Sequence, residues 1–105
     1  MQPYDRLRND LRMTLMQEYD RIVDKIRNYE DFLMKERDLR NGLQKIIDIS
    51  KNDSELVNNT VVMEYLSEKV ALCDSMIKDF TQFRDEEIEE RERYEHEWPD
   101  LFKKE

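Results

Sequence analysis

Glycine, proline, cysteine and histidine are scarce in this 105-residue sequence, which contains one glycine, two prolines, one cysteine and one histidine. A single glycine argues against the glycine-rich loops that bind phosphate groups, because such loops need several residues without a Cβ. The lone cysteine cannot form an intramolecular disulfide, which favours a reducing compartment. With one histidine, the chain cannot supply the paired Glu-x-x-His motifs of a di-metal site. We therefore expect a protein that is not an enzyme and that uses no cofactor and no metal.

Long apolar runs and an excess of positive charge are also missing. No segment approaches the ~20 apolar residues that a transmembrane helix needs, and the N-terminus shows no signal peptide. The net charge of −8 opposes nonspecific binding to nucleic acid or to an anionic membrane surface. These features predict an intracellular protein, with the cytoplasm as the expected location, that neither binds nucleic acid nor inserts into membranes.

Two stripes of apolar residues dominate what the sequence does contain. Their steps of four and three residues place the side chains on one face of a helix. The first stripe consists of Leu15, Tyr19, Ile22, Ile26, Tyr29 and Leu33, and the second of Met63, Leu66, Val70, Cys73, Ile77 and Phe80. Charged residues make up 42% of the chain, and high charge with this period is typical of long helices. We predict an all-α protein in which two long, coiled-coil-like helices form an antiparallel hairpin.

A polar connector separates the two predicted helices at about residues 50–59. It is rich in Ser, Asn and Asp, whose side chains favour turns and helix N-caps over helix interiors. The predicted helices cover about 3–49 and about 54/60–97, and a short tail follows at 98–105, all within one helical domain. Two alternatives stay open, namely a small β-hairpin pairing 55–57 with 60–62, and a break of the first helix near Asn41-Gly42. The candidate N-caps of the second helix are Asp53 or Ser54 first, then Asn59 or Thr60.

A bend centred near residue 52 also predicts which residues face each other across the hairpin. The predicted neighbours are Leu33 and Ala71, Ile26 and Ile77 or Lys78, Tyr19 and Asp85, and Arg40 and Glu64. In this register the basic residue Arg40, which interrupts the apolar stripe, gains an acidic partner.

The apolar surface of both helices is wider than a two-stranded seam needs. The additional apolar residues beside the stripes are Leu11, Met16, Val23, Phe32, Leu39 and Ile46 in the first helix and Val62, Met76 and Phe83 in the second. Such width is typical of a helix that contacts two or more neighbours. A lone hairpin would leave these flanks in water, so we expect self-association or hetero-oligomerisation with partner helices that completes a multi-helix bundle.

The C-terminal part of the chain combines an acidic run with an apolar tail. Residues 85–97 contain eight acidic residues and two arginines. This run is either a solvated helix, partly neutralised by arginines near the N-terminus, or a docking surface for a basic partner or a mimic of a nucleic-acid backbone. The tail either packs on Tyr4 and Leu7 or acts as a short linear motif similar to those of autophagy adaptors. The candidate docking residues are Glu89, Glu90, Glu92, Trp98, Leu101 and Phe102.

The helix–connector–helix layout resembles that of β-type prefoldin subunits, whose two coiled-coil helices flank a small hairpin. The glycine-containing hairpin and the longer strands of that family are missing from this sequence. Together, the wide apolar stripes and the acidic surface predict a non-enzymatic scaffold or adaptor subunit that mediates protein–protein interaction. The alternative is a chaperone-like or acidic inhibitory protein that sequesters a client.

Overall fold

The protein is all-α in the computed structural model, which describes residues 3–102 and the side chains of residues 6–102. Its elements are α1 (Pro3–Ser50), α2 (Ser54–Val57), α3 (Thr60–Glu97) and α4 (Pro99–Phe102), with no β-strand in the described range. The chain divides into two compact units, which we call the terminal unit (Met1–Asn28 with Phe83–Glu105) and the central unit (Tyr29–Gln82). In each unit α1 and α3 run antiparallel, which confirms the predicted helical hairpin.

Helix α1 continues without interruption through Asn41-Gly42, so the alternative of a break there is wrong. A glycine in a helix interior costs about 1 kcal/mol relative to alanine. The surrounding residues offset this cost, because apolar positions such as Leu43 and Ile47 continue the stripe beyond the glycine and pack against α3. A Cβ at Gly42 would have no atom within 4 Å, so the glycine is not required by close packing within the chain.

The connector is helical where the alternative interpretation placed a strand, so the β-hairpin alternative is also wrong. The Asp53 side chain caps α2 by accepting hydrogen bonds from the backbone N–H groups of Glu55 at 2.9 Å and Leu56 at 3.3 Å. The Asn59 side chain similarly accepts a bond from the N–H of Val62 at 3.2 Å at the start of α3. These side chains satisfy N-terminal amides that a helix cannot pair internally, which explains why helices form here.

The core of the central unit lies between α1 and α3. Ile47, Leu66 and Val70 form a buried cluster, and Leu33 is fully buried. Aromatic rings also meet, since the centroids of Phe32 and Phe80 are 4.2 Å apart. Alternating steps of three and four residues put these side chains on facing stripes, as the sequence period requires.

The core of the terminal unit combines aliphatic residues of α1 with aromatic residues of α3 and α4. Its buried members are Leu15, Ile22, Ile26, Tyr94 and Phe102, and the partly buried members are Tyr19, Ile88, Trp98 and Leu101. The apolar tail is therefore part of this core.

The register between α1 and α3 differs from the predicted one by ten residues of α3, or about three helical turns. In the central unit Arg40 pairs with Asp74 at 2.9 Å, where Glu64 was predicted. In the terminal unit the Tyr19 hydroxyl bonds to Glu95 at 2.7 Å, where Asp85 was predicted. The cause is the position of the bend, which was predicted near residue 52. Helix α2 occupies Ser54–Val57 and α3 begins only at Thr60, so the chain reverses further towards the C-terminus.

Candidate protein-interaction surfaces

Most residues of the predicted seam pack inside the hairpin itself. Seven are buried, namely Leu15, Ile22, Ile26, Leu33, Leu66, Val70 and Cys73. Seven are half-buried, namely Tyr19, Val23, Tyr29, Phe32, Met76, Ile77 and Phe80. Met16 and Phe83 are exposed. Because the hairpin uses the centre of each stripe, the surface that remains for a partner lies on the flanks.

Cys73 lies in the central unit beside Glu36, a polar residue on the facing stripe. Burial raises the pKa of the Cys73 thiol, and the hydrogen bond that the thiol donates to the Glu36 carboxylate raises it further. A thiol with a raised pKa is protonated at neutral pH, and the protonated form is a poor nucleophile. Cys73 is therefore a packing residue in this setting.

Aromatic side chains from three helices gather in the terminal unit. The Tyr19 and Phe102 rings stack with centroids 4.3 Å apart, and the Tyr94 and Trp98 rings meet edge to face at 5.4 Å. The tail reaches Tyr19 because the backbone continues almost helically past Trp98, whose N–H bonds to the carbonyl of Tyr94 at 2.9 Å. Pro99 fits as the first residue of α4, where its missing N–H costs nothing.

This placement corrects the prediction that the tail packs on Tyr4 and Leu7. Leu7 is 68% exposed, and the side chain of Tyr4 lies outside the described residues, as do residues 103–105 of the predicted tail. Trp98 and Leu101 are half-buried and Phe102 is buried. The tail residues thus pack beside Leu15 and Tyr19 of α1, and not on Leu7 as predicted.

Two tyrosine–glutamate hydrogen bonds tie α1 to α3 beside this aromatic cluster. The Tyr19 hydroxyl donates to Glu95 at 2.7 Å, and the Tyr94 hydroxyl donates to Glu18 at 2.6 Å. Burial and the bond to Glu95 raise the pKa of Tyr19 to about 12. The bond to Glu18, together with burial, raises the pKa of Tyr94. Both phenols are hydrogen-bond donors over the physiological pH range.

The acidic run on α3 is largely solvated, as one of its two interpretations requires. Glu89 and Glu92 are exposed, whereas Glu90 is half-buried and pairs with Arg93 one turn later. Lys25 of α1 pairs with Glu87 at 3.7 Å. Exposed pairs of this kind contribute little to stability, so the run keeps its negative charge available to solvent or to a partner.

A groove of about 610 Å³ lies on the surface of the terminal unit next to the aromatic cluster. Its lining residues are Met16, Tyr19, Asp20, Val23, Arg91, Glu95, Leu101 and Phe102. The Arg91 Nε atom is buried there and has no hydrogen-bond partner, although Glu95 Oε1 lies 3.9 Å away. The groove therefore presents both apolar and charged groups.

The central unit carries a second surface, which we call the open apolar face. It comprises five side chains that are each at least half exposed, Leu39, Ile46, Ile49, Tyr65 and Leu72. Residues seven apart share one stripe of a helix, which aligns Leu39 with Ile46 and Tyr65 with Leu72. The Arg40–Asp74 pair joins α1 and α3 on one side of the contact between the two helices. Both stripes lie on the other side of this contact, so they share one side of the hairpin.

The opposite side of the central unit is mostly polar, with Met34 as an exposed apolar residue. The equivalent flanking positions there are Glu30, Arg37 and Gln44 on α1 and Ser67, Asp74 and Thr81 on α3. The two sides of this unit therefore differ sharply, and the apolar residues exposed by the hairpin are concentrated on one of them. A concentration of exposed apolar side chains on one side is typical of an interaction site.

Residues 3–102 form no helix with the length and apolar character needed to cross a bilayer. In the same range, no three His, Cys, Asp or Glu side chains converge as they would around a metal ion. No family model matches the chain, and no curated protein or solved structure shows significant similarity to it.

Proposed function

We propose that the chain is a non-enzymatic scaffold or adaptor subunit of a cytoplasmic assembly, in which partner helices pack on its hairpin. The observation that carries this proposal is the open apolar face of the central unit. Isolated apolar residues are ordinary on protein surfaces, but a contiguous patch on one side marks an interaction site.

The size of the face supports a helical partner. Complete burial of a large aliphatic or aromatic side chain is worth about 1.5–3 kcal/mol, so covering five half-exposed ones yields roughly 4–7 kcal/mol. Association itself costs several kcal/mol. The face therefore contributes a large part of the energy of a complex.

A matched pair of variants tests the proposal in extracts of cells that express the full chain. We expect the wild-type chain to elute in an assembly larger than the monomer, because the face is covered. Replacing Leu39 and Leu72 with lysine should shift the chain to monomer size. The control replaces Gln44 and Ser67 with lysine on the polar side and should leave the assembly intact. A wild-type chain that elutes as a monomer would contradict the proposal.

A chaperone-like or inhibitory role is the second candidate, and the terminal unit favours it. The exposed acids Glu89 and Glu92 belong to the same unit as the groove, whose lining includes the apolar side chains of Met16 and Val23. Such a surface fits basic, partly apolar segments of a client. Light scattering distinguishes the roles, since a chaperone suppresses the aggregation of several unrelated proteins, whereas a scaffold binds one partner at fixed stoichiometry.

The docking role predicted for the tail depends on α4. Phe102 is buried against Tyr19, and Trp98 packs on Tyr94, so a partner could take these side chains only if α4 left the aromatic cluster. A tail that docks should therefore show a tryptophan that a quencher reaches in the free protein and no longer reaches in the complex.

A further inference from the structure

We propose that the groove of the terminal unit binds a short amphipathic helix of a partner protein, in which one lysine or arginine lies between two apolar residues. The inference adds a second binding surface to the scaffold function, which is carried by the open apolar face of the central unit. It also specifies the client segment of the second candidate role. It is carried by the side-chain pattern and the charge of the groove.

The α1 wall of the groove has the pattern of a helical stripe. Met16, Asp20 and Val23 line it at steps of four and three residues, which places them in one row on the same face of α1. The row is about 10 Å long, or two helical turns. A helix that packs along such a row presents its own side chains at the same steps. The order of the row is apolar, acidic, apolar, so the complementary helix carries apolar, basic and apolar residues.

The apolar side chains of the groove are accessible to such a helix. Met16 is 45% exposed, and Val23 and Leu101 are half-buried. Phe102 lines the same groove, and its ring is held by stacking on Tyr19 at 4.3 Å. The apolar contact surface is thus ordered before a partner arrives, which lowers the entropic cost of binding.

The charge balance of the groove favours a cation. Asp20 and Glu95 contribute two carboxylates to its lining, against the one guanidinium of Arg91. Glu95 accepts a hydrogen bond from Tyr19, but the exposed Asp20 makes no hydrogen bond or ion pair with another described residue. Glu92 lies three residues before Glu95 and adds an exposed carboxylate on the same side of α3. A lysine or arginine beside Asp20 would therefore gain a partner.

The Tyr19 phenol is subject to the same excess of negative charge. Burial and the bond to Glu95 raise the pKa of Tyr19 to about 12, the charges of Glu95 and Asp20 add to the rise, and Arg91 opposes it. The two carboxylates outweigh the guanidinium at this point, so the potential in the groove is negative.

Arg91 does not cancel the acidic excess. Its Nε atom lies 3.9 Å from Glu95 Oε1, beyond hydrogen-bond distance, and it has no other hydrogen-bond partner in the described range. A partner carboxylate that bonded to Arg91 would share the groove with Asp20 and Glu95, and these like charges oppose its binding.

Synthetic helical peptides and the purified full chain test the assignment. The probe is a peptide of about 15 residues, mostly alanine and glutamine, with leucine, lysine and leucine at steps of four and three. The matched peptide has glutamate in place of the lysine. Fluorescence anisotropy near physiological ionic strength, which screens long-range attraction, gives both dissociation constants. The lysine peptide should bind the wild type about three- to tenfold more tightly than the glutamate peptide.

A charge reversal at Asp20 locates the binding site. Asp20→Lys should weaken binding of the lysine peptide about three- to tenfold and strengthen binding of the glutamate peptide. Asp20 is exposed, so circular dichroism should show unchanged helix content. The matched control is Asp31→Lys, which makes the same change of net charge at an exposed site of α1 in the central unit. This variant should bind both peptides as the wild type does.

Three results would overturn the assignment. They are a wild type that binds neither peptide, a wild type that binds the glutamate peptide as tightly as the lysine peptide or more tightly, and equal weakening by Asp20→Lys and Asp31→Lys. The variant with Leu39→Lys and Leu72→Lys should bind the lysine peptide as the wild type does, because both leucines belong to the central unit. The elution of that variant from cell extracts tests the scaffold function separately, so the scaffold function can stand where the groove assignment fails.

Discussion

Tyr19 and Tyr94 each donate a hydrogen bond to the glutamate that adjoins the other in sequence, and their rings lie 6.5 Å apart. The two bonds cross between α1 and α3, one to Glu95 and one to Glu18. Each phenol buries its ring in the terminal core and keeps its hydroxyl at the edge, where the carboxylate accepts. Polar and apolar contacts are thus combined in the same two side chains.

Removing either hydroxyl should lower stability modestly. Tyr19→Phe and Tyr94→Phe keep the ring but lose the bond to a carboxylate, which should reduce the free energy of unfolding by about 0.5–1.5 kcal/mol each. Urea denaturation measured by circular dichroism gives these values. Tyr65→Phe is the control, because Tyr65 is 57% exposed and should change stability by less than about 0.5 kcal/mol. Equal losses at all three sites would contradict a specific role for the crossing bonds.

The raised pKa of Tyr19 predicts a loss of stability in alkaline solution. The folded state holds the phenol proton up to a pKa of about 12, whereas an unfolded tyrosine loses it near the model value of 10.0. The contribution of this group to stability is complete below pH 10 and falls as the pH rises from about 10 to 12. Urea midpoints over this range should decline more steeply for the wild type than for Tyr19→Phe. Parallel declines would indicate that other groups account for the effect.

The centre of the seam should be far more sensitive than its neighbouring surface. Leu33 is fully buried in the central unit, so Leu33→Ala should lower the free energy of unfolding by about 2–5 kcal/mol. Met34 is 57% exposed, and Met34→Ala should cost less than about 0.5 kcal/mol. Thermal melts of the two variants should differ widely. Similar melts would mean that the seam does not hold the helices together.

The tail should contribute to the stability of the terminal unit. Phe102 is 8% exposed and stacks on Tyr19, so Phe102→Ala should destabilise the protein by up to about 3–5 kcal/mol, the usual cost for a core aromatic residue. The same variant should make Trp98 more accessible to acrylamide, since Phe102 helps to enclose the cluster. Asp100→Ala is the control, because Asp100 is exposed. An unchanged melt for Phe102→Ala would show that α4 packs only weakly.

The seven-residue period of the sequence was enough to predict the two long helices and the hairpin. Of the four candidate caps of the second helix, Asp53 caps only the short helix α2, and Asn59, a later choice, caps α3. The register could not be obtained in this way, because a repeating apolar stripe fits several alignments and the connector geometry selects one. The tyrosine–glutamate bonds depend on that register and were missed with it. The helical turn after Pro99 could have been found, since proline is favoured at the first position of a helix.

The open apolar face was visible only in part from the sequence. Leu39 and Ile46 were identified as excess apolar positions, but Ile49, Tyr65 and Leu72 were not. Their signal is the seven-residue spacing of Tyr65 and Leu72 and the three-residue step from Ile46 to Ile49. The sequence does not show that these residues share one side of the hairpin. That follows from the Arg40–Asp74 pair, which fixes the rotation of α1 and α3 about their axes.

The Arg40–Asp74 pair also acts against misalignment during folding. If α3 slid by seven residues, its apolar stripe would return to phase, but Ser67 or Thr81 would take the place of Asp74 and leave the guanidinium without a carboxylate. The same shift would bring Ile88 or Phe102 to the position of Glu95. The Tyr19 hydroxyl would then lose its hydrogen-bond acceptor. Each contact is worth only about 1 kcal/mol. Apolar stripes pair almost equally well after a shift of seven residues. These few polar contacts therefore select the native register over alternative registers of similar energy.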